Sequence, residues 1–324
     1  MSRVLLTGAS GFVGRQALAA LVASGHEVHA VARRRGAEVA GEAGAAGEAL
    51  AAGEVGAAEA AGAIWHEVDL LEGCAVLDEI EPEVLVHLAW YAEHGKFWRS
   101  QENLRWVAAS LELLRRFARA GGRRAVLAGS CAEYEWSRER YAESSPLAPA
   151  TLYGASKHGL HVIAAALAEQ TGVELAWGRL FFLYGPHEAP ERFVPSLIAA
   201  LLRGEAAPMT DGSHVRDFLH SADAGAAFAA LADSAVSGPV NVASGRPLAL
   251  RELAERIAER IGRPELLRIG AKPTPDGEPA SLVADVRRLR EEVGWSPSIE
   301  LAEGLDSTIA WWREQLGGGR GSLA

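Results

Sequence analysis

Apolar runs and amphipathic stretches alternate through the first half of the chain. Val4 to Thr7 has the pattern of a buried strand, Val13 to Ala23 has helical spacing, and Glu27 to Ala32 is a second strand after Gly25. Ile64 to Asp69 and Val84 to Ala89 read as further strands, the latter apolar on both faces as a central parallel strand is. Asn103 to Ala120 has helical spacing and ends at Gly121-Gly122, after which Arg124 to Ala128 gives another strand. This alternation predicts βαβ units in a right-handed, doubly wound parallel sheet of the α/β class. Gly154 to Glu169 follows as a helix and Val173 to Phe182 as a strand that stops before Tyr184-Gly185-Pro186.

The pattern then becomes irregular. Short helices (Val194 to Leu202, Ser221 to Leu231, Leu250 to Ile261) are separated by turns rich in Pro and Gly, among them the run from Lys272 to Gly277. Such excursions off a main sheet predict a smaller C-terminal lobe with a cleft above the strand ends. The expected division is a nucleotide-binding unit over 1–180 with returns near 215–245, a discontinuous substrate lobe over 181–316, and a disordered Gly-rich tail over 317–324. Gly36 to Ala63, almost wholly Ala, Gly, Glu and Val, reads as a solvent-facing helix or mobile loop without chemistry of its own.

Composition narrows the class. A net charge of -10 and a pI of about 5.5 argue against a nucleic-acid or anionic-membrane surface, so any basic site must be local. Two cysteines far apart, Cys74 and Cys131, with no histidine at ligand spacing, point to free thiols rather than a disulfide or a metal site. With no apolar run of transmembrane length and no signal-peptide pattern ahead of the first strand, the expected location is cytoplasmic.

Chemistry enters at Gly8, Gly11 and Gly14, three apart between the first strand and the first helix. That spacing lets the turn tighten, brings backbone close to a pyrophosphate and packs the helix on the strand, with the helix's free amides facing the phosphates. Further on, Tyr153-Gly154-Ala155-Ser156-Lys157 opens a helix and places a phenol and an ammonium on one face. An ammonium about 5 Å away at an effective dielectric of about 20 favours phenolate by roughly 3 kcal/mol, about two pK units. Ser130 adds a hydroxyl at the carboxyl end of a parallel strand, where open α/β sheets bind ligands.

Ser130, Tyr153 and Lys157 behind a Gly8/Gly11/Gly14 turn resemble the active site of the extended short-chain dehydrogenase/reductase family. Asp69, His87-Leu88-Ala89, Asn103, Arg216-Asp217-Phe218-Leu219-His220, Asn241-Val242-Ala243-Ser244-Gly245, Asp285 and Val293-Gly294-Trp295-Ser296-Pro297 match the family's pattern in order over nearly the whole chain. The resemblance implies a Rossmann-type sheet with a nicotinamide dinucleotide on the glycine turn and a nucleotide-diphosphate sugar under the C-terminal lobe. Tyr153 would transfer the proton, Lys157 would hold the nicotinamide ribose and lower the phenol pKa, and Ser130 would hydrogen-bond the reacting oxygen. Cofactor contacts are expected at Gly8, Ser10, Gly11, Phe12, Val13, Gly14, Arg33, Arg34, Asp69, Leu70, Leu88 and Ala89 as well as at Tyr153 and Lys157. Substrate contacts are expected at Trp90, Tyr91, Asn103, Cys131, Phe182 and Arg216. The resemblance also implies a homodimer.

Departures from the family refine this. Members that prefer NAD(H) usually end the second strand with an acidic residue; here Ala32 is followed by Arg33 and Arg34, which favours a 2′-phosphate and hence NADP(H) over NAD(H). Nucleotide-sugar 4,6-dehydratases carry Asp-Glu after the Ser/Thr position, whereas Cys131-Ala132 stands here, so reduction, oxidation or epimerisation remains. Phe182 replaces an asparagine of many sugar epimerases and leaves an apolar wall suited to a 6-deoxy sugar. Arg216 is placed for a diphosphate, while the second cation of many relatives is absent, Pro275 falling there with Lys272 the nearest positive charge. The expectation is reduction of a nucleotide-linked 4-keto-6-deoxy sugar. Its rivals are a 4-epimerase with tightly held cofactor, a small-ketone reductase and a silent NADPH-binding protein.

Overall fold

In the computed structural model, residues 1–33, 62–274 and 277–318 are described. Fourteen strands occur among them. Seven form one wholly parallel sheet: β1 (Arg3–Thr7), β2 (Glu27–Ala32), β3 (Ile64–Glu67), β4 (Val84–His87), β5 (Arg124–Ser130), β7 (Glu174–Leu180) and β11 (Gly238–Val242). Their order is β11-β7-β5-β4-β1-β2-β3, which reverses direction between β1 and β4 and opens a crevice at the strand ends there. This is the Rossmann-type doubly wound sheet that the alternating pattern predicts.

Each face of the sheet is covered by helices whose apolar stripes match it. Helix α1 (Gly14–Ala23) lies with Ala17, Leu18 and Leu21 buried. It packs tightly on a later helix, Ser221–Asp233, because Gly225 carries no side chain: a Cβ there would lie 2.4 Å from the backbone of Gln16. On the other face, Glu102–Arg119 and Leu152–Thr171 bury Leu113, Leu114, Phe117, Leu160 and Ala164. A third core joins Phe193–Arg203, Leu250–Ile261 and Leu301–Gly318 through Leu197, Ile198, Leu253, Ile257, Leu305 and Ile309.

Three details differ from the sequence expectations. Val173 to Phe182 is not one strand: β7 ends at Leu180, and after Phe181 the chain starts β8 (Phe182–Tyr184), which pairs with β10 (Val215–His220) of a second sheet. Apolar residues run through both segments, so hydrophobicity carries no mark of the change of partner. That second sheet also contains β6 (Arg140–Tyr141), β12 (Pro247–Ala249) and β14 (Ser281–Ala284). The last helix runs to Gly318, two residues into the stretch expected to be tail. Most of the Ala/Gly/Glu stretch, with Arg34, Pro275 and the rest of the tail, lies outside the described residues. No helix among the described residues is long and apolar enough to cross a membrane, and both cysteines are free and buried.

Candidate active site

The glycine turn is built on close approach. Gly8 has φ of +73°, and a Cβ on it would lie 2.7 Å from the Ala89 amide nitrogen. Gly14 has no conformational need for glycine, yet a Cβ there would meet the Gly8 carbonyl oxygen at 1.9 Å. The Gly11 amide donates to that same oxygen at 2.9 Å, which closes the turn. No side chain caps α1 and no acidic residue occupies its first turn, so its leading amides are left for an anionic ligand. These features fit a dinucleotide pyrophosphate, with Ser10, Phe12 and Val13 part-buried along the turn.

Strands β3 and β4 end earlier than their apolar patterns suggest, which puts Val68-Asp69 and Leu88-Ala89 at the strand mouths beside this turn. The Asp69 carboxylate accepts from the Leu71 amide at 2.9 Å and shapes its own turn. Leu70 packs into the core, so only its backbone is placed to face a cofactor. Arg33 is exposed just past Ala32 at the end of β2.

Ser130 ends β5. Tyr153 lies in the first turn of the helix Leu152–Thr171, which Thr151 caps by accepting from the Gly154 amide at 3.1 Å. The Tyr153 ring packs edge-on against Phe97 and Trp98, with centroids at 4.9 and 5.7 Å. Burial of its hydroxyl pushes the phenol up to about 12, partly offset by a hydrogen bond with Ser130. In the cofactor-free chain, burial thus outweighs the lowering expected from Lys157. The Lys157 ammonium donates to the Ala128 carbonyl at 2.8 Å and lies 3.7 Å from the Trp90 ring centroid, and burial brings it down to about 7. Below it, His87 is bonded to Thr7 Oγ1 at 2.7 Å and Ser110 Oγ at 2.8 Å; burial and the Lys157 charge lower it to about 3, so it is neutral.

The expected substrate residues divide. Asn103 is fully buried, donating to the Phe97 and Ser100 carbonyls at 2.7 and 2.8 Å and accepting from Trp90 Nε1 at 2.9 Å. Its polar groups are spent on the loop, so it anchors that loop rather than touching substrate. Tyr91 donates to Glu93 at 2.8 Å beside it. Cys131 is buried directly after Ser130, its thiol pushed up to about 12. Phe182 lies under Arg216, with the guanidinium carbon 5.3 Å from the ring centroid. Arg216 is buried; it donates to the Pro279 carbonyl at 2.8 Å and is 3.4 Å from Glu278, so this cation is already partly balanced.

Several residues with a bearing on the site escape sequence reasoning. Arg192 stacks over Phe97, 5.6 Å from its centroid, and its charge reaches Tyr153. Glu188 is buried with one carboxyl oxygen lacking a hydrogen-bond partner among the described residues, and burial pushes it up to about 8. Glu133 lies beneath Ser130, ion-paired to Arg179 at 3.0 Å with both side chains buried. Its sequence surroundings, with Glu135, Arg138 and Glu139 close by, gave no signal of burial.

Known proteins give the context for this geometry. The chain is 31% identical over 175 residues to a dTDP-glucose 4,6-dehydratase of Actinoplanes sp., a match covering 53% of this chain and 54% of that protein. The chain thus spans about half the length of that relative. It is 26% identical over 331 residues to UDP-glucuronic acid decarboxylase 1 of Xenopus tropicalis, covering 97% of this chain and 73% of that one. The solved structure of MoeE5 in complex with UDP-glucose and NAD superposes with a TM-score of 0.80 at 28% identity, over 97% of this chain and 99% of the other. The family model for the NAD dependent epimerase/dehydratase family matches residues 4–243. With glycine turn, strand order and Ser-Tyr-Lys group all in place, the chain belongs to the NAD dependent epimerase/dehydratase family.

Proposed function

We propose that the protein reduces a nucleotide-linked 4-keto-6-deoxy sugar at C4, with NADP(H) as the redox partner. One observation carries the choice of reaction. The two positions after Ser130 are Cys131, a buried thiol with its pKa pushed up to about 12, and Ala132, so neither supplies the acid or base that eliminating water demands. The next residue, Glu133, is sealed from the cleft and tied to Arg179. What the cleft retains is a proton donor, a hydroxyl and a cation.

A reduced nicotinamide dinucleotide bound on the glycine turn supplies hydride in this chemistry. Tyr153, protonated at neutral pH because burial holds its hydroxyl up to about 12, delivers its proton to the oxygen on C4 as that oxygen gains negative charge. Ser130 hydrogen-bonds the same oxygen from the end of β5. Lys157 supplies positive charge on the far side and loses its stacking partner only if Trp90 moves. Phe182 gives the sugar's methyl end an apolar wall, and Arg216 behind it is the cation for a diphosphate. The UDP-glucose and NAD bound by MoeE5 support a nucleotide sugar as substrate class. Ala32 and Arg33 support the 2′-phosphate.

The test is NADPH consumption across a panel of nucleotide-linked 4-keto-6-deoxy sugars with Tyr153→Phe as control. Stoichiometric oxidation lost in the variant is expected. A C4-inverted sugar with no net cofactor turnover would replace the reductase by the 4-epimerase. We also propose a cytoplasmic homodimer: the paired helices Glu102–Arg119 and Leu152–Thr171 expose Leu104, Val162 and Ile163 to solvent in the single chain. Light scattering on the purified protein reads the assembly.

A further inference from the structure

Beneath Ser130 the chain buries a charged group that the proposed chemistry does not use. Glu133 is fully buried. One of its oxygens accepts from the Ser130 amide at 2.7 Å and from Trp177 Nε1 at 2.9 Å; the other accepts from Trp177 Nε1 at 3.1 Å and Arg179 Nε at 3.0 Å. Ser130 in turn accepts from the Ala132 amide at 3.2 Å, which makes a reciprocal cap around the single helical turn after β5. Gly129 belongs to the same arrangement: a Cβ there would lie 2.2 Å from Trp177 Nε1 and 2.7 Å from the Glu133 carboxylate. The acid and the indole fill the space a side chain at 129 would need.

His158 and His161 bring ring nitrogens to within 4.8 Å of this carboxylate, which outlines three groups able to ligate a metal ion. The charges oppose that use. A divalent cation would sit beside the Arg179 guanidinium and near the Lys157 ammonium, and His161 is stacked on Trp177 with its pKa down at about 4 from burial and the Arg179 charge. The carboxylate is committed to cations the chain already provides.

We propose that Glu133 is a positioning residue for Ser130 and Lys157: it fixes the serine through its backbone amide and, from behind Gly129, supplies the negative charge that holds the lysine cationic. Lys157 donates to Ala128, the residue before Gly129. Around it are Tyr153 and the histidines 158 and 161 of its own helix, His87 of β4, the Trp90 ring, and Glu133 with Arg179 of β7 behind it. Burial drives Lys157 down to about 7, and the Glu133 carboxylate opposes that fall alongside the Ala128 carbonyl and the Trp90 ring. His87 is neutral and cannot contribute. Without the carboxylate, the Lys157 pKa falls further and less of the positive charge facing the reacting site survives at neutral pH. This role rests on the reading of Ser130, Tyr153 and Lys157 as the reacting group, but it is tested without turnover.

The chain contains only three lysines, Lys96, Lys157 and Lys272. In protein labelled with 13C at lysine Cε, three resonances titrate and are assigned with Lys96→Arg and Lys272→Arg. In Glu133→Gln, which keeps an acceptor for the Ser130 amide and removes the charge, the Lys157 midpoint is expected to fall by at least one pH unit while the other two stay. Glu133→Gln/Arg179→Gln leaves no buried charge unpaired and is expected to show the same fall. An unchanged Lys157 midpoint in either folded variant overturns the proposal. So does failure of both to fold, because Glu133 then serves the fold alone. The titration reads Lys157 whatever substrate is turned over, so loss of the ketosugar reading leaves this result standing.

Discussion

The Lys157 ammonium stands 3.7 Å from the centre of the Trp90 indole, whose Nε1 donates to Asn103 at 2.9 Å. One loop residue thus touches the site's cation with its face and the loop's anchor with its edge. Cation–π contacts away from water contribute about 2 kcal/mol. Trp90→Leu is expected to lower kcat/KM by about 10-fold to 100-fold, the loss of that contact plus a loosened loop. Steady-state kinetics beside a thermal melt check it; an unchanged kcat/KM would show that the stacking does not matter to turnover.

Tyr153→Phe removes the proton donor and leaves the ring packed on Phe97 and Trp98. Activity is expected to fall by about 100-fold to 10,000-fold, the usual contribution of a placed acid. The melting temperature should hold or rise, since a buried hydroxyl is lost. A variant that keeps a tenth of its activity would remove Tyr153 from the chemistry.

The cofactor-free protein should gain stability with rising pH through the range set by Lys157. Its folded value of about 7 lies below the ordinary lysine value of 10.5, so between these the unfolded chain binds more protons and stability climbs with pH. Tyr153 acts oppositely, its folded value of about 12 exceeding the ordinary tyrosine value of 10.0, so its contribution is lost above about pH 10. Melts of wild type and Lys157→Met from pH 6 to 9.5 isolate the first effect. The variant's advantage should be largest at pH 6 and shrink steadily toward 9.5.

Gly14→Ala separates close approach from backbone strain, because alanine is at ease in a helix while its Cβ would meet the Gly8 carbonyl at 1.9 Å. Overpacking of this kind costs about 1–3 kcal/mol. Dinucleotide affinity, read by calorimetry, should fall more than 10-fold. Full affinity would mean that the turn does not hold the pyrophosphate.

Ala32→Asp places a carboxylate at the end of β2, ahead of the exposed Arg33. A hydrogen bond to a charged group contributes about 1.5–3 kcal/mol, so the NADPH/NADH ratio of kcat/KM should drop by 10-fold or more. A ratio that stays put would assign cofactor choice to another part of the chain.

Legibility in the sequence followed physics of different ranges. The glycine turn, the Tyr153–Lys157 spacing and the apolar strands are local patterns, and the structure places them on the expected elements. The switch from β7 to β8 depends on which partner strand lies alongside, and Phe181 and Phe182 look alike to any hydrophobic count. What the sequence could not show was the set of three-dimensional neighbours around each site residue. Asn103 looked like a ligand contact until Phe97 and Ser100 took its donors. Lys157 shares a helix face with Tyr153, but the Ala128 and Trp90 contacts of its ammonium come from other elements. Glu133 looked no different from the nearby Glu135 and Glu139, since its partners Trp177 and Arg179 are more than forty positions away.

The single residue between β7 and β8 ties the two sheets together. Phe181 is buried, and on either side of it the same chain is bonded into the large sheet and then into the small one. A hinge at that point would have to tear ladder bonds in one sheet or the other. The two sheets are therefore joined through a single buried residue of continuous backbone. The stretches from Trp90 to Ser100 and from His187 to Arg192 belong to neither sheet, and they meet where Arg192 stacks over Phe97.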